Sequence, residues 1–74
     1  MKKYRVYYKL DNKEQEEREI VLSAKSKEDA FTIAWYQEIP RTAGSFPAFA
    51  RVGSIIYGTG REVPVKGCRE DLAV

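Results

Sequence analysis

Arg5, Tyr7 and Lys9 recur at every second position near the start of the chain, and Arg51, Ile55 and Tyr57 recur at even separations later in it. Side chains two apart share one face of a strand, so each set would present a row of cationic, aromatic and apolar groups. Such rows are suited to binding rather than to bond making. Tyrosine beside arginine combines buried area, hydrogen bonding and stacking at low entropic cost, the mixture that protein interfaces concentrate. The same groups can stack bases and hold phosphates. A plainer reading is a solvated sheet face whose aromatics only stabilise strand pairing.

The rest of the sequence offers little to catalysis. There is no histidine, hence no imidazole base, shuttle or metal ligand, and the single cysteine, Cys68, excludes an internal disulfide. Lys66 and Arg69 could favour the Cys68 thiolate, yet no base or resolving cysteine accompanies it, and an inert thiol is expected. Glu14, Glu16, Glu17 and Glu19 read as a solvated charge cluster, because without histidine they make a poor ligand set for a transition metal. Gly58-Thr-Gly60-Arg61 superficially resembles a phosphate-cradling loop, but it lacks the following Gly-Lys-Ser/Thr and a helix. A hairpin turn is expected there instead. No enzyme activity, cofactor or metal is expected.

The elements that must position these residues follow from periodicity. Tyr4, Val6, Tyr8 and Leu10 alternate with Lys3, Arg5, Tyr7 and Lys9, as in a strand with one buried and one solvated face. After the turn residues Asp11-Asn12-Lys13, Arg18, Ile20, Leu22 and Ala24 alternate with Glu17, Glu19, Val21 and Ser23, which predicts an antiparallel hairpin. Its outer face would set Arg5 and Lys9 near Glu17 and Glu19.

Ser26 to Glu38 reads as a helix capped by the Ser26 hydroxyl, with Glu28 and Asp29 beside the positive end of its dipole. Ala30 and Ala34 centre its apolar stripe, flanked by Ile33, Phe31 and Trp35, while Glu28, Thr32 and Tyr36 point away. Small residues at the centre let the backbone approach a sheet closely. Ile39-Pro40 is expected to end the helix, since proline disfavours helical backbone in the residue before it. A contact loop containing Arg41 and Phe46 should then run from Pro40 to about Pro47.

A third strand is expected over Ala48–Tyr57, with Arg51, Ile55 and Tyr57 outward. A short return strand over Arg61–Lys66 places Pro64 at an edge. The tail, 68–74, is expected to fray. The fold class is therefore α+β: an antiparallel sheet of three to four strands, in ββαβ or ββαββ order, with one helix on one face and the other face open.

Seventy-four residues make one domain with a thin core, 1–74, and a composition of 43% hydrophobic and 32% charged residues fits an ordinary globular chain. No apolar run approaches membrane-spanning length and the start lacks a signal-peptide block, so a cytoplasmic, membrane-free protein is expected. The formal charge of +2 gives no field of one sign.

The pattern Tyr4-Arg-Val-Tyr-Tyr-Lys-Leu10, a polar hairpin, Ile20-Val-Leu-Ser-Ala24 and then Ser26-Lys-Glu-Asp-Ala30 resembles, in layout, compact phage-encoded CRISPR–Cas inhibitors. The likeness covers roughly the first half of the chain. It implies a non-catalytic inhibitor, of phage or mobile-element origin, that occupies a surface on a protein or nucleoprotein complex of a bacterial host. From the residues themselves, the binding surface is expected to comprise Arg5, Tyr7, Lys9, Arg51, Ile55 and Tyr57 on the open face, with Arg41 and Phe46 from the loop. Nucleic-acid binding through the basic N-terminal strand and its tyrosines is the alternative, weakened by the missing RNP-type glycine-aromatic run and by the acids of strand two. A homodimer formed by exposed edge strands is a third reading.

Overall fold

The computed structural model describes residues 1–66 and 69–71. β1 (Lys2–Lys9) and β2 (Arg18–Ala24) form the hairpin, in register Lys2↔Ala24 through Tyr8↔Arg18. The acidic loop is tied down by one carboxylate. Glu14 accepts from the backbone N–H groups of Leu10 (2.6 Å) and Asp11 (3.1 Å) and pairs with Arg18 at 2.8 Å. Asp11 accepts from the Lys13 N–H at 2.9 Å, the side-chain-to-backbone bond that short polar residues make in turns.

The helical segment follows as α1 (Lys27–Ile33), a π-helical turn (Ala34–Glu38) and α2 (Ile39–Ala43), 17 consecutive helical residues. Ser26 caps it, its hydroxyl accepting from the Asp29 N–H at 3.2 Å. Contrary to expectation, Ile39-Pro40 does not end the helix. A proline ring collides with the carbonyl four residues back in an α-helix, and here the wider π turn lies immediately before Pro40, with the Ile39 N–H bonded to the Ala34 carbonyl. The helix stops at Gly44, whose N–H still bonds the Pro40 carbonyl at 2.8 Å and whose left-handed backbone (φ 81°) turns the chain out of the helix. The expected 40–47 loop thus shrinks to a short link after Ala43, ending at buried Pro47 and the Ala48 N–H bond to Lys9.

β3 (Phe49–Ile56) pairs antiparallel with β1, leaving β1 central and β2 at one edge. Two short strands share the far edge of β3: β4 (Glu62–Pro64) opposite 54–56 and β5 (Arg69–Asp71) opposite 49–51. β5 is a correction to the fraying tail. Cys68 and residues 72–74, the remainder of that tail, lie outside the described residues. The result is an α+β fold, an antiparallel sheet with one helical segment on one face. Among the described residues no helix is long and apolar enough to cross a membrane.

The core lies between helix and sheet. Tyr4, Val6 and Tyr8 from β1, Leu22 and Ala24 from β2, and Ala50 and Val52 from β3 meet Ala30, Ala34, Trp35 and Ile39. Ala30 and Ala34 are wholly buried, as close backbone approach requires, and Phe31 packs beside Trp35 with ring centroids 5.4 Å apart. Glu28, Thr32 and Tyr36 face solvent as expected.

Candidate functional site

The face of the sheet away from the helix carries an interlocked set of arginines, acids and one tyrosine. Directly opposed residues of an antiparallel pair share a face, so the registers build it: Lys3, Arg5, Tyr7 and Lys9 from β1; Glu19, Val21 and Ser23 from β2; Phe49, Arg51, Ser54 and Ile56 from β3; Glu62 and Pro64 from β4. A β-bulge decides the last four positions. Arg5 opposes Ser54 and Val6 opposes Val52, so Gly53 is the extra residue and the facing of β3 reverses beyond it.

Ile55 is accordingly a correction: it opposes Tyr4 and packs against the core, while Ile56, opposite Lys3, takes the outer position. Tyr57 lies one residue beyond β3, where Tyr57, Ile55, Ile56, Met1, Lys2 and Lys3 line most of a shallow cleft of about 500 Å³ at the end of the sheet. Along β1 that end is about 13 Å from Tyr7. Arg41 and Phe46 do not join the open face through a loop. Arg41 is on α2, paired with Glu38 at 2.6 Å, and Phe46 meets the exposed ring of Tyr36 edge-on at 6.4 Å. Of the expected site residues, the structure gathers Arg5, Tyr7, Lys9 and Arg51.

At the centre the Arg51 guanidinium stands 4.5 Å from the centroid of the Tyr7 ring, within cation–π range. Tyr7 in turn covers Gly53 so closely that a Cβ there would fall 2.3 Å and 2.6 Å from two ring carbons. Arg51 also grips Glu17 with both Nε (3.0 Å) and Nη2 (2.7 Å), a paired geometry that fixes a planar guanidinium. Arg5 does the same with Glu62 (2.8 and 3.3 Å) and reaches diagonally across the hairpin to Glu19 at 3.1 Å. Ser54, buried on this face, donates to the same Glu62 carboxylate.

Three of the acids read as a solvated cluster are thus paired, Glu14 with Arg18, Glu17 with Arg51 and Glu19 with Arg5. Glu62, Ser54 and Ile56 were not legible as members of the face, because their facing depends on the bulge. The available signal was Gly53 itself, a glycine inside an otherwise strand-like run.

These bonds shift titration in a definite sense. The Arg5 hydrogen bond, then the Ser54 bond, holds the Glu62 carboxyl below its ordinary 4.5, and the Arg18 bond, then the Leu10 N–H, does so for Glu14. A depressed folded-state value contributes stability that is fully present above the ordinary carboxylate range and is lost as pH falls through the lower value. Urea denaturation from pH 7 downward should show stability declining only in that acid window. Glu62→Gln should flatten that decline, and an unchanged acid limb in the variant would show that the pair contributes nothing to it.

Comparison with protein-family models, with curated proteins and with solved structures finds no match for this chain.

Proposed function

We propose that this chain is a non-catalytic protein-binding domain whose contact surface is the open face of the sheet. The observation that carries the reading is the Tyr7–Arg51 stack, seated on Gly53 and only partly buried on the sheet face away from the helix. An aromatic and an arginine held in place before binding lose little entropy when a partner arrives, which is how interface anchors concentrate affinity. Charge supports a protein partner over a phosphate backbone. Arg5 and Arg51 are already saturated by Glu17, Glu19 and Glu62, so a nucleic acid would have to displace three carboxylates to use them. The layout of residues 4–30 supports a narrower form of the proposal, an inhibitor occupying a surface of a bacterial effector complex such as a CRISPR–Cas surveillance complex.

The test is capture from bacterial lysate by the tagged chain, with and without nuclease. A stoichiometric protein complex should survive nuclease. Replacing Tyr7 by serine together with Arg51 by alanine should weaken that capture about tenfold or more, while far-UV circular dichroism keeps its folded signature. Equal capture by the folded double variant would place the contact elsewhere, and recovery of nucleic acid alone would replace the proposal with phosphate binding.

A further inference from the structure

Among the described residues the sheet has one unpartnered edge of useful length. β2 spans seven residues, Arg18–Ala24, and among the described residues pairs only with β1. It contains no proline and no glycine, and its register with β1 is continuous, so it lacks a bulge of the kind that blunts edges elsewhere. At its midpoint stands Val21, 48% exposed and one of the few large apolar side chains left in water. The opposite edge is occupied, β3 being paired with both β4 and β5.

We propose that β2 is a self-association edge, pairing antiparallel with β2 of a second copy about a two-fold axis through Val21. The reading of the open face as a binding surface is extended here, since the axis runs perpendicular to the sheet and leaves both open faces on the same side.

Three features of the strand select this occupant and register. Antiparallel partners must share a face, which restricts a two-fold pairing to registers centred on a residue. Only the register centred on Val21 pairs all seven residues. It sets Val21 against its own copy, Ile20 against Leu22, Glu19 against Ser23 and Arg18 against Ala24, so the three central apolar positions meet one another and no like charges are opposed. Just outside the strand it brings Glu17 opposite Lys25, an acid against a base at each end of the seam. Centring on Ile20 would pair only residues 18–22 of the strand and set Arg18 against the bulkier Leu22. Centring on Leu22 would keep a charge match, Glu19 with Lys25, but pair only five residues of the strand.

The joined sheet would hold two helical segments on one side and two Tyr7–Arg51 stacks on the other. A partner with repeated or two-fold surfaces would then be bound twice by one dimer, gaining avidity without a new contact.

Sedimentation equilibrium of the purified chain from micromolar to millimolar concentration tests this. The weight-average mass should climb from monomer toward dimer. Val21→Lys, which sets two ammonium groups against each other on the axis, should weaken association at least tenfold, whereas Val21→Thr should retain it. In a Cys68→Ser background Val21→Cys should form a disulfide dimer under mild oxidation, and Lys25→Cys should not. Monomer at every concentration, or association indifferent to Val21→Lys in a folded variant, would overturn the edge pairing. That result would leave partner capture by the open face untouched, so the two readings fail separately.

Discussion

Replacing Ile39 by alanine is expected to lower the free energy of unfolding by about 2–5 kcal/mol, the range for truncating a buried isoleucine. In a small domain whose total stability is on the order of 4–11 kcal/mol, such a loss can be half of what there is. Ile39 is fully buried and among the largest side chains so enclosed. It reaches the core only because of the π turn. In an uninterrupted α-helix, five residues would place Ile39 about 140° around the axis from Ala34. The π turn bonds the Ile39 N–H to the Ala34 carbonyl and so stacks the two residues along one stripe. Chemical denaturation of Ile39→Ala beside Tyr36→Ala separates the alternatives. Tyr36 is 65% exposed and should matter little by comparison. Equal, small losses for both would mean that the second half of the helical segment does not pack as described.

The second large effect is expected at Gly53, where alanine should destabilise by about 1–3 kcal/mol through overpacking. The added methyl would overlap the Tyr7 ring, forcing it off its seat and away from the Arg51 guanidinium. Backbone conformation is not the obstacle, since Gly53 has no positive φ. The measurement is a double-mutant cycle. In a Tyr7→Ala background the clash is gone, and Gly53→Ala should become neutral or stabilising, because glycine in a strand carries an entropic penalty that alanine reduces. Additive effects in the double variant would show that the ring does not rest on Gly53.

The two cases mark where reading the chain as a one-dimensional pattern stops working. Regular alternation in residues 3–10 and 18–24 was legible because one face of each strand must be apolar and the other wet, and the hairpin formed in the expected order. The Ser26 cap and the Ala30–Ala34 stripe were legible for the same kind of reason: capping and burial act within one or two turns of the chain. Arg5, Tyr7 and Lys9 could be placed on the open face by parity, and Arg51 by turning its charge outward in a third strand whose alternation left the facing ambiguous.

Beyond Gly53 and beyond Glu38, parity and period both slip. A bulge adds one residue to β3, so Ile55 goes inward, Ile56 goes outward, and Ser54 and Glu62 come under Arg5. A π turn adds one residue to the helical period, so Ile39 enters the core, Pro40 is tolerated and Arg41 rides on a helix. The Arg51–Glu17 pair depended on docking instead, for the two are separated by 34 residues and meet only when β3 lies beside β1.

The sequence by itself determined the class of the fold, the hairpin, the helix start, the inward residues of the first two strands and the poverty of catalytic groups. Each of these follows from residue type and short-range spacing. Tertiary structure alone decided which arginine meets which acid, which isoleucine is core, and that Tyr57, Arg41 and Phe46 stand apart from Tyr7. An insertion of a single residue in a strand or helix costs little locally, yet it reassigns every side chain after it, and only packing against the rest of the molecule settles where it falls.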